Sequence, residues 1–279
     1  MDERPDSFLR EYRLRSDGEA VPIAGLPTLE AYSDEDDEEE ELTDDFRPKL
    51  YDYLDLMMAN EEHSILLIVQ GLDNAGKSGT VKHVVQAMNP VGVRVHAFKE
   101  PTEEEKKEHF LERIRRELPD PGQFAVFDRS HYEDAIVPRV MGELDDDELT
   151  ERIEEIIAFE EELNERNIHL VKCFVNISYD EQRERFLRRI RREDKQWKFA
   201  KSDIDTRRLW PEYMVAYGEV LGRTSTDENP WYVIPADHKW HRNWVIAQIL
   251  MEVFEGLGET YPPLAWDADE MRALLEPPG

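Results

Sequence analysis

Eight consecutive residues, Gly71-Leu-Asp-Asn-Ala-Gly76-Lys77-Ser78, carry the spacing G-x-x-x-x-G-K-[ST]. Glycines at those positions let the backbone curl until successive N–H groups face inward, where they can cradle phosphate oxygens. A helix beginning at the lysine adds the partial positive charge of its N-terminus. Lys77 would then reach the outer phosphates, and the Ser78 hydroxyl could ligate magnesium. Gly71, Asn74, Ala75, Gly76, Ser78, Gly79 and Thr80 are the candidate phosphate-binding residues of this loop. Asp73 is less ordinary there, because a carboxylate facing phosphates is repelled unless a divalent cation lies between them. A solvent-facing or helix-capping role is its alternative.

Two further groups fit phosphate chemistry. Asp128 ends the apolar run Phe124 to Phe127 and is followed by Arg129. An acidic residue at the tip of a strand beside a phosphate loop can hold magnesium, and an arginine there can grip a transferred phosphate bidentately. The segment from Arg183 to Lys198 sets eight cations against three acids. Arg185, Arg188, Arg189 and Arg192 recur in it at helical spacing and share one face. Such a strip is either a lid that closes over a polyanion or a solvated helix paired with an acidic surface. The histidines are scattered without zinc-type spacing.

Elements able to position these groups are legible around them. Residues 64–70 have the unbroken apolar centre of a buried parallel strand, and a helix is expected over about 77–88. Further strands are expected at 93–98, 123–128, 169–177 and 231–235. Helices are expected from about 46, and over 102–118, 145–166, 179–192, 203–221 and about 238–257. Strands alternating with helices predict an α/β fold, a three-layer α/β/α sandwich around a parallel sheet. The last helix is expected to pack into the core rather than serve self-association.

The formal net charge is −29, from 64 acidic and 35 basic residues. That surplus repels nucleic acid and anionic lipid at long range, so neither is an expected partner. It also suits concentrated salt, where screening over a few ångströms suppresses self-repulsion. No apolar run is long enough to cross a membrane, and the N-terminal residues lack a signal-peptide core; a cytoplasmic protein is expected. The single cysteine, Cys173, lies in an apolar run and reads as a buried structural thiol. Between Asp34 and Asp45, ten of twelve residues are acidic. Residues 1–45 are therefore expected to be an N-terminal extension, partly disordered, before a catalytic domain over 46–263 with its lid at about 179–202 and a tail over 264–279.

Taken together, Gly71 to Thr80, Phe127-Asp-Arg-Ser-His-Tyr-Glu-Asp134 and Lys195-Gln-Trp-Lys198 resemble the three signature regions of the polyphosphate kinase 2 family. Arg207-Arg-Leu-Trp210, Thr224-Ser-Thr226, Pro230 to Ala236 and Trp240 to Trp244 extend the resemblance, in order, from about Tyr51 to Pro263. It implies a P-loop kinase-like fold with a helical lid and phosphoryl transfer between inorganic polyphosphate and nucleotides, assisted by Mg2+. By position it implies Asp73, Lys77, Asp128 and Arg129 as catalytic, with Asp73 and Asp128 holding the metal. Lid residues Arg185, Arg189, Lys195 and Lys198 would bind phosphates, with Arg189 acting on the transferred group.

His131-Tyr132-Glu133-Asp134 is similar to a subgroup that phosphorylates both nucleoside mono- and diphosphates, which implies Glu133 as nucleotide-binding. That subgroup often has Asn where Asp128 stands. Adenine nucleotides, with guanine as a second base, and a homo-oligomeric state are further expectations. The rival readings are an ATP-dependent nucleotide kinase, for which a shorter cationic lid would suffice, and a non-catalytic P-loop nucleotide-binding regulator.

Overall fold

The computed structural model describes residues 9–28 and 46–275. Strands β1 (Ser64–Gln70), β2 (Val93–Ala97), β3 (Phe124–Asp128), β4 (Ile168–Asn176) and β5 (Trp231–Pro235) form one parallel sheet in the order β2-β3-β1-β4-β5. The helices in chain order are α1 (Leu9–Tyr12), α2 (Phe46–Asn60), α3 (Lys77–Gln86), α4 (Glu112–Arg115), α5 (Glu133–Met141) and α6 (Asp146–Glu165). They continue with α7 (Tyr179–Arg191), α8 (Lys201–Arg208), α9 (Trp210–Thr224), α10 (Lys239–Leu257) and α11 (Ala268–Leu275).

Central β1 is buried along its whole length, as an unbroken apolar strand covered on both faces must be. Its side chains alternate between two cores. Leu66 and Ile68 face one with Ile153, Phe159 and Tyr217 from α6 and α9. Ile65, Leu67 and Val69 face the other with Leu54, Val84 and Ile249 from α2, α3 and α10. The three-layer expectation is met. Buried Val245, Ile246, Leu250 and Phe254 commit α10 to the core, and Cys173 is buried in the same layer. No helix among the described residues is long and apolar enough to cross a membrane.

From β1 the chain passes to β2 and β3 on one side, then crosses to β4 and β5 on the other. Such a reversal opens a crevice beyond the C-terminal strand ends, where open α/β sheets bind ligands. Val69 of β1 is level with Asp128 of β3, which sets the loop after β1 beside that carboxylate.

The structure departs from the sequence reading in several places. The helix expected over 102–118 is instead a 3₁₀ turn at Glu105–Lys107 followed by the short α4. Residues 102–109 contain no apolar side chain to hold a helix on the core, and tertiary burial supplies most helical stability. The helix expected over 203–221 breaks at Leu209 into α8 and α9. Pro211 causes it, having no N–H for the preceding turn and fitting only the first turn of a new helix. Helix α5, with Pro138 inside it, was not among the expected elements. The Asp134 carbonyl that Pro138 cannot serve accepts instead from Arg152 Nη1 at 3.0 Å.

Residues 9–28, expected to fall within the N-terminal extension, pack on the domain. Arg13 bridges Tyr232 antiparallel to β5, Leu14 N donates to Trp231 O at 2.7 Å, and Tyr12, Leu14 and Ile23 are buried. Gly218 and Gly222 on α9 make room for this strap, since a Cβ at either would collide with the carbonyl of Val21 or Glu19. The acidic block at 34–45 lies outside the described residues. In the C-terminal tail, α11 is exposed.

Candidate active site

The loop between β1 and α3 has the shape its glycines allow. Gly76 (φ 111°) and Asn74 (φ 66°) take left-handed backbone, and the Arg242 guanidinium occupies the space a Cβ at Gly76 would need. Lys77 is buried at the start of α3, where its Nζ donates to Gly71 O (2.5 Å) and Leu72 O (3.1 Å). Burial and the nearby Arg129 lower the affinity of this ammonium for its proton, while Asp73, Glu133 and Asp128 oppose that shift. Ser78 Oγ donates to Asp128 Oδ2 at 2.7 Å, so the hydroxyl and the carboxylate expected to serve one cation are in contact.

Arg129 also sits in left-handed backbone (φ 68°), a conformation that non-glycine residues rarely adopt and that clusters at functional sites. Its N–H donates to Val69 O at 3.1 Å, fixing the turn after β3 to β1. Its Nη2 donates to Asp73 Oδ1 at 2.6 Å, and its Nη1 lies 3.9 Å from Glu133 Oε2. Burial works against its charge, but Glu133 and Asp73 outweigh burial and hold the guanidinium above its ordinary range. Glu133 is raised above the usual carboxylate range by burial, in part offset by Arg129 and Lys77. With the Gln70 amide oriented to satisfy both ends, it donates to Glu133 Oε1 (2.9 Å) and accepts from Ser130 N (3.1 Å).

Two cavities of about 640 Å3 each open on this centre. The first is lined by Gly71, Asp73, Arg129 and Glu133 together with Phe98, Val137, Pro138, Met141, Tyr213 and Tyr217. The second runs over Asn74, Gly76, Lys77, Ser78 and Gly79 to Asp128, with Arg189, Trp197 and Lys198 of the lid opposite. Asp73, Phe98 and Arg129 line both and form their common wall. The first is half apolar, with Lys99, Lys106 and Arg113 set among the acids Glu100, Asp134 and Glu143, whereas the second sets Lys77, Arg129, Arg189 and Lys198 against Asp73, Asp128 and Asp203.

Most sequence-predicted residues therefore converge, but four do not line either cavity. Ala75 is packed in the core. Thr80 is buried and bonded back to Gly76 O, through its N–H at 3.0 Å and its hydroxyl at 3.3 Å. Lys195 is partly exposed, 3.7 Å from Asp194. Arg185 is buried beneath the loop, donating to Ala75 O (2.7 Å), Asp237 O (2.9 Å) and Glu181 Oε1 (2.8 Å). The helical face supposed to carry Arg185 beside Arg188 and Arg189 is split, because the root of α7 packs under the loop while its outer turns reach solvent.

Sequence reading missed the apolar wall. Phe98 stands at a strand end, and Val137, Pro138 and Met141 on a helix with a proline inside it. Tyr213 and Tyr217, four apart on α9, were the available signal. It also missed Arg113, buried with its Nη2 on Asp134 Oδ2 (2.7 Å) and its Nη1 on Lys99 O (2.9 Å), which ties the cavity rim to α5. Cation binding here has hard oxygen donors of the right kind in Asp128 and Ser78. Among the described residues no group of three or more His, Cys, Asp or Glu side chains could hold a metal alone. That spare donor set suits a cation that keeps waters and substrate phosphates in its shell.

Residues 32–259 match the family model described as Polyphosphate kinase 2 (PPK2). The chain is 41% identical over 208 residues to an AMP/ADP-polyphosphate phosphotransferase from Meiothermus ruber, covering 75% of this chain and 78% of that one. It is 35% identical over 266 residues to an ADP-polyphosphate phosphotransferase from Rhodopseudomonas palustris, covering 91% and 92%. The crystal structure of polyphosphate kinase 2 from Arthrobacter aurescens TC1 superposes with a TM-score of 0.92 at 36% identity, covering 97% of this chain and 96% of that one.

Proposed function

The chain belongs to the polyphosphate kinase 2 family, and we propose that it works with polyphosphate in the cation-flanked cavity and AMP or ADP in the half-apolar one. It is a polyphosphate-dependent nucleotide phosphotransferase. The observation that carries the placement of substrates is the common wall: Asp73 and Arg129 line both cavities, so two phosphate groups entering from opposite sides meet beside them. The apolar side of the first cavity, Phe98, Val137, Pro138 and Met141, suits a nucleobase.

A terminal oxygen of the nucleotide phosphate attacks the end phosphorus of the polyphosphate. The bridging P–O bond to the next phosphate breaks, and the shortened chain leaves with the electron pair. The nucleophile is already anionic, so little proton transfer is needed and positioning with charge neutralisation does most of the work. Lys77 would leave the Gly71 and Leu72 carbonyls for phosphate oxygens, which compete well for a buried ammonium. Arg129, held by Asp73, faces the charge that develops on the transferred group, with Arg189 opposite. Asp128 and Ser78 would hold Mg2+, with Asp73 available once Arg129 turns to phosphate. When bound, the cation neutralises phosphate charge and aligns the two substrates.

Guanine as a second base, self-association, a cytoplasmic setting and adaptation of the −29 surface to concentrated salt complete the reading. The test is transfer by purified protein with magnesium, long-chain polyphosphate and either AMP or ADP, at high salt. ATP from both acceptors, only with polyphosphate present, is the expected result. ATP from ADP alone would remove the monophosphate acceptor. Transfer from ATP but never from polyphosphate would favour an ATP-dependent kinase.

A further inference from the structure

We propose that Gln182 is a positioning residue that ties the lid to Asp73, so that the grip of the lid on a polyanion is felt within the phosphate loop. The proposal rests on the placement of polyphosphate argued above. Gln182 is 1% exposed near the root of α7. Its Nε2 donates to the Asp73 carbonyl at 2.7 Å, and its Oε1 accepts from Arg207 Nη1 at 2.6 Å. Arg207 belongs to α8, the helix that brings the chain back from the lid. The same guanidinium donates to Tyr179 O at 2.8 Å and stacks on the Tyr179 ring, 3.4 Å from its centroid.

The orientation of this amide is not free. A guanidinium offers only donors, so it must face the carbonyl oxygen of Gln182, which turns the NH2 toward Asp73 O. Three residues along α7, Arg185 donates to Ala75 O at 2.7 Å. One helix root therefore holds the carbonyls of Asp73 and Ala75. In a trans peptide the N–H points opposite to the C=O, so the amides of Asn74 and Gly76 are turned away from α7. Asn74 and Gly76 line the loop cavity, as do Arg189 near the far end of α7 and Lys198 in the turn beyond it. Gln182 and Arg185 thus connect the root of the lid helix to the loop backbone, and Asp73 is the residue whose side chain holds Arg129.

Full-length Gln182→Leu, Arg207→Met and the double variant test this. Losing the amide should lower kcat about tenfold and raise the magnesium needed for half-maximal rate, with nucleotide KM within about twofold of wild type. Arg207→Met should do the same to a lesser degree. The double variant should be no slower than Gln182→Leu, since Arg207 acts through Gln182. A merely structural role would lower Tm without moving the magnesium dependence. Full rate in Gln182→Leu, or losses that multiply in the double variant, would overturn the coupling. If Gln182→Leu does not fold, Arg207→Met decides alone by the same two measurements.

A second readout needs no turnover. On adding tripolyphosphate, amide exchange at residues 73–76 should slow in wild type and much less in Arg207→Met; equal protection in both sinks the coupling. Wild type that binds tripolyphosphate yet transfers nothing would count against the functional reading instead.

Discussion

Arg129 donates through Nη2 to Asp73 Oδ1 at 2.6 Å across the boundary between the two cavities. The pair joins the loop after β1 to the turn after β3, where Arg129 stands in left-handed backbone. A cation aimed before the substrates arrive needs little reorganisation when charge develops between them.

Arg129→Lys keeps the charge but loses the planar fork, which is not a conservative change at a bidentate site. The expected loss in kcat/KM is about 10²–10³-fold, with Tm little changed because the side chain is partly exposed. Steady-state kinetics with polyphosphate and ADP measure it. A rate within twofold of wild type would remove Arg129 from the reacting centre.

Asp128→Asn separates charge from shape. The amide oxygen can still accept from Ser78, whose hydroxyl lies 2.7 Å from the carboxylate, so the fold should be kept. Lost negative charge should raise the magnesium concentration for half-maximal rate by about tenfold or more, since ligand charge sets much of divalent affinity. Ser78→Ala should move it less. Identical magnesium curves for Asp128→Asn and wild type would mean that Asp128 does not hold the cation.

The residues that could be read from sequence are those whose spacing encodes their geometry. Gly71 to Ser78 declares a loop, Ser64 to Gln70 a buried strand, and Asp128 a strand tip; all three stand where expected. Contacts made between distant segments left no such mark. Gln182 reaches Asp73 across 109 positions, and Arg207 reaches Gln182 across 25. Arg185 and Arg189 share a helix and a residue type, yet one is buried on loop carbonyls and the other lines a cavity. Only the docking of α7 against the loop separates them. Pro138 is tolerated inside α5 for a reason equally remote in sequence, because Arg152 serves the carbonyl it leaves free.

That contrast is testable. Arg189→Ala should raise the KM for polyphosphate and flatten its salt dependence, as removal of one phosphate-facing cation does, with Tm near wild type. Arg185→Met should lower stability by about 2–4 kcal/mol, because the Ala75 carbonyl is left buried without its donor and Glu181 without its buried cation. Thermal melts and polyphosphate titrations on both variants distinguish the roles. A melt for Arg185→Met equal to that of Arg189→Ala would place Arg185 among the substrate contacts after all.

His131 supplies a pH dependence of known sign. The ring is fully buried between Tyr132 and Phe159, and neither nitrogen has a hydrogen-bond partner. Burial, with Lys172 and Arg113 nearby, pushes its pKa down from 6.5 to about 3. Well above pH 6.5 the ring is neutral in both folded and unfolded chains, and it adds no slope. Between 6.5 and about 3 the unfolded chain takes up a proton that the native site refuses, so stability falls as pH falls through that window. At pH 5 the loss from this residue is about 2 kcal/mol. His241 shifts the same way, pushed to about 4 by burial and His238, so the effect of His131 must be read as a difference. His131→Phe keeps an aromatic ring and removes the titration. Its unfolding free energy should fall less than that of wild type between pH 7 and pH 5, by about the same 2 kcal/mol. Parallel curves for the two proteins would show that the native site accepts the proton.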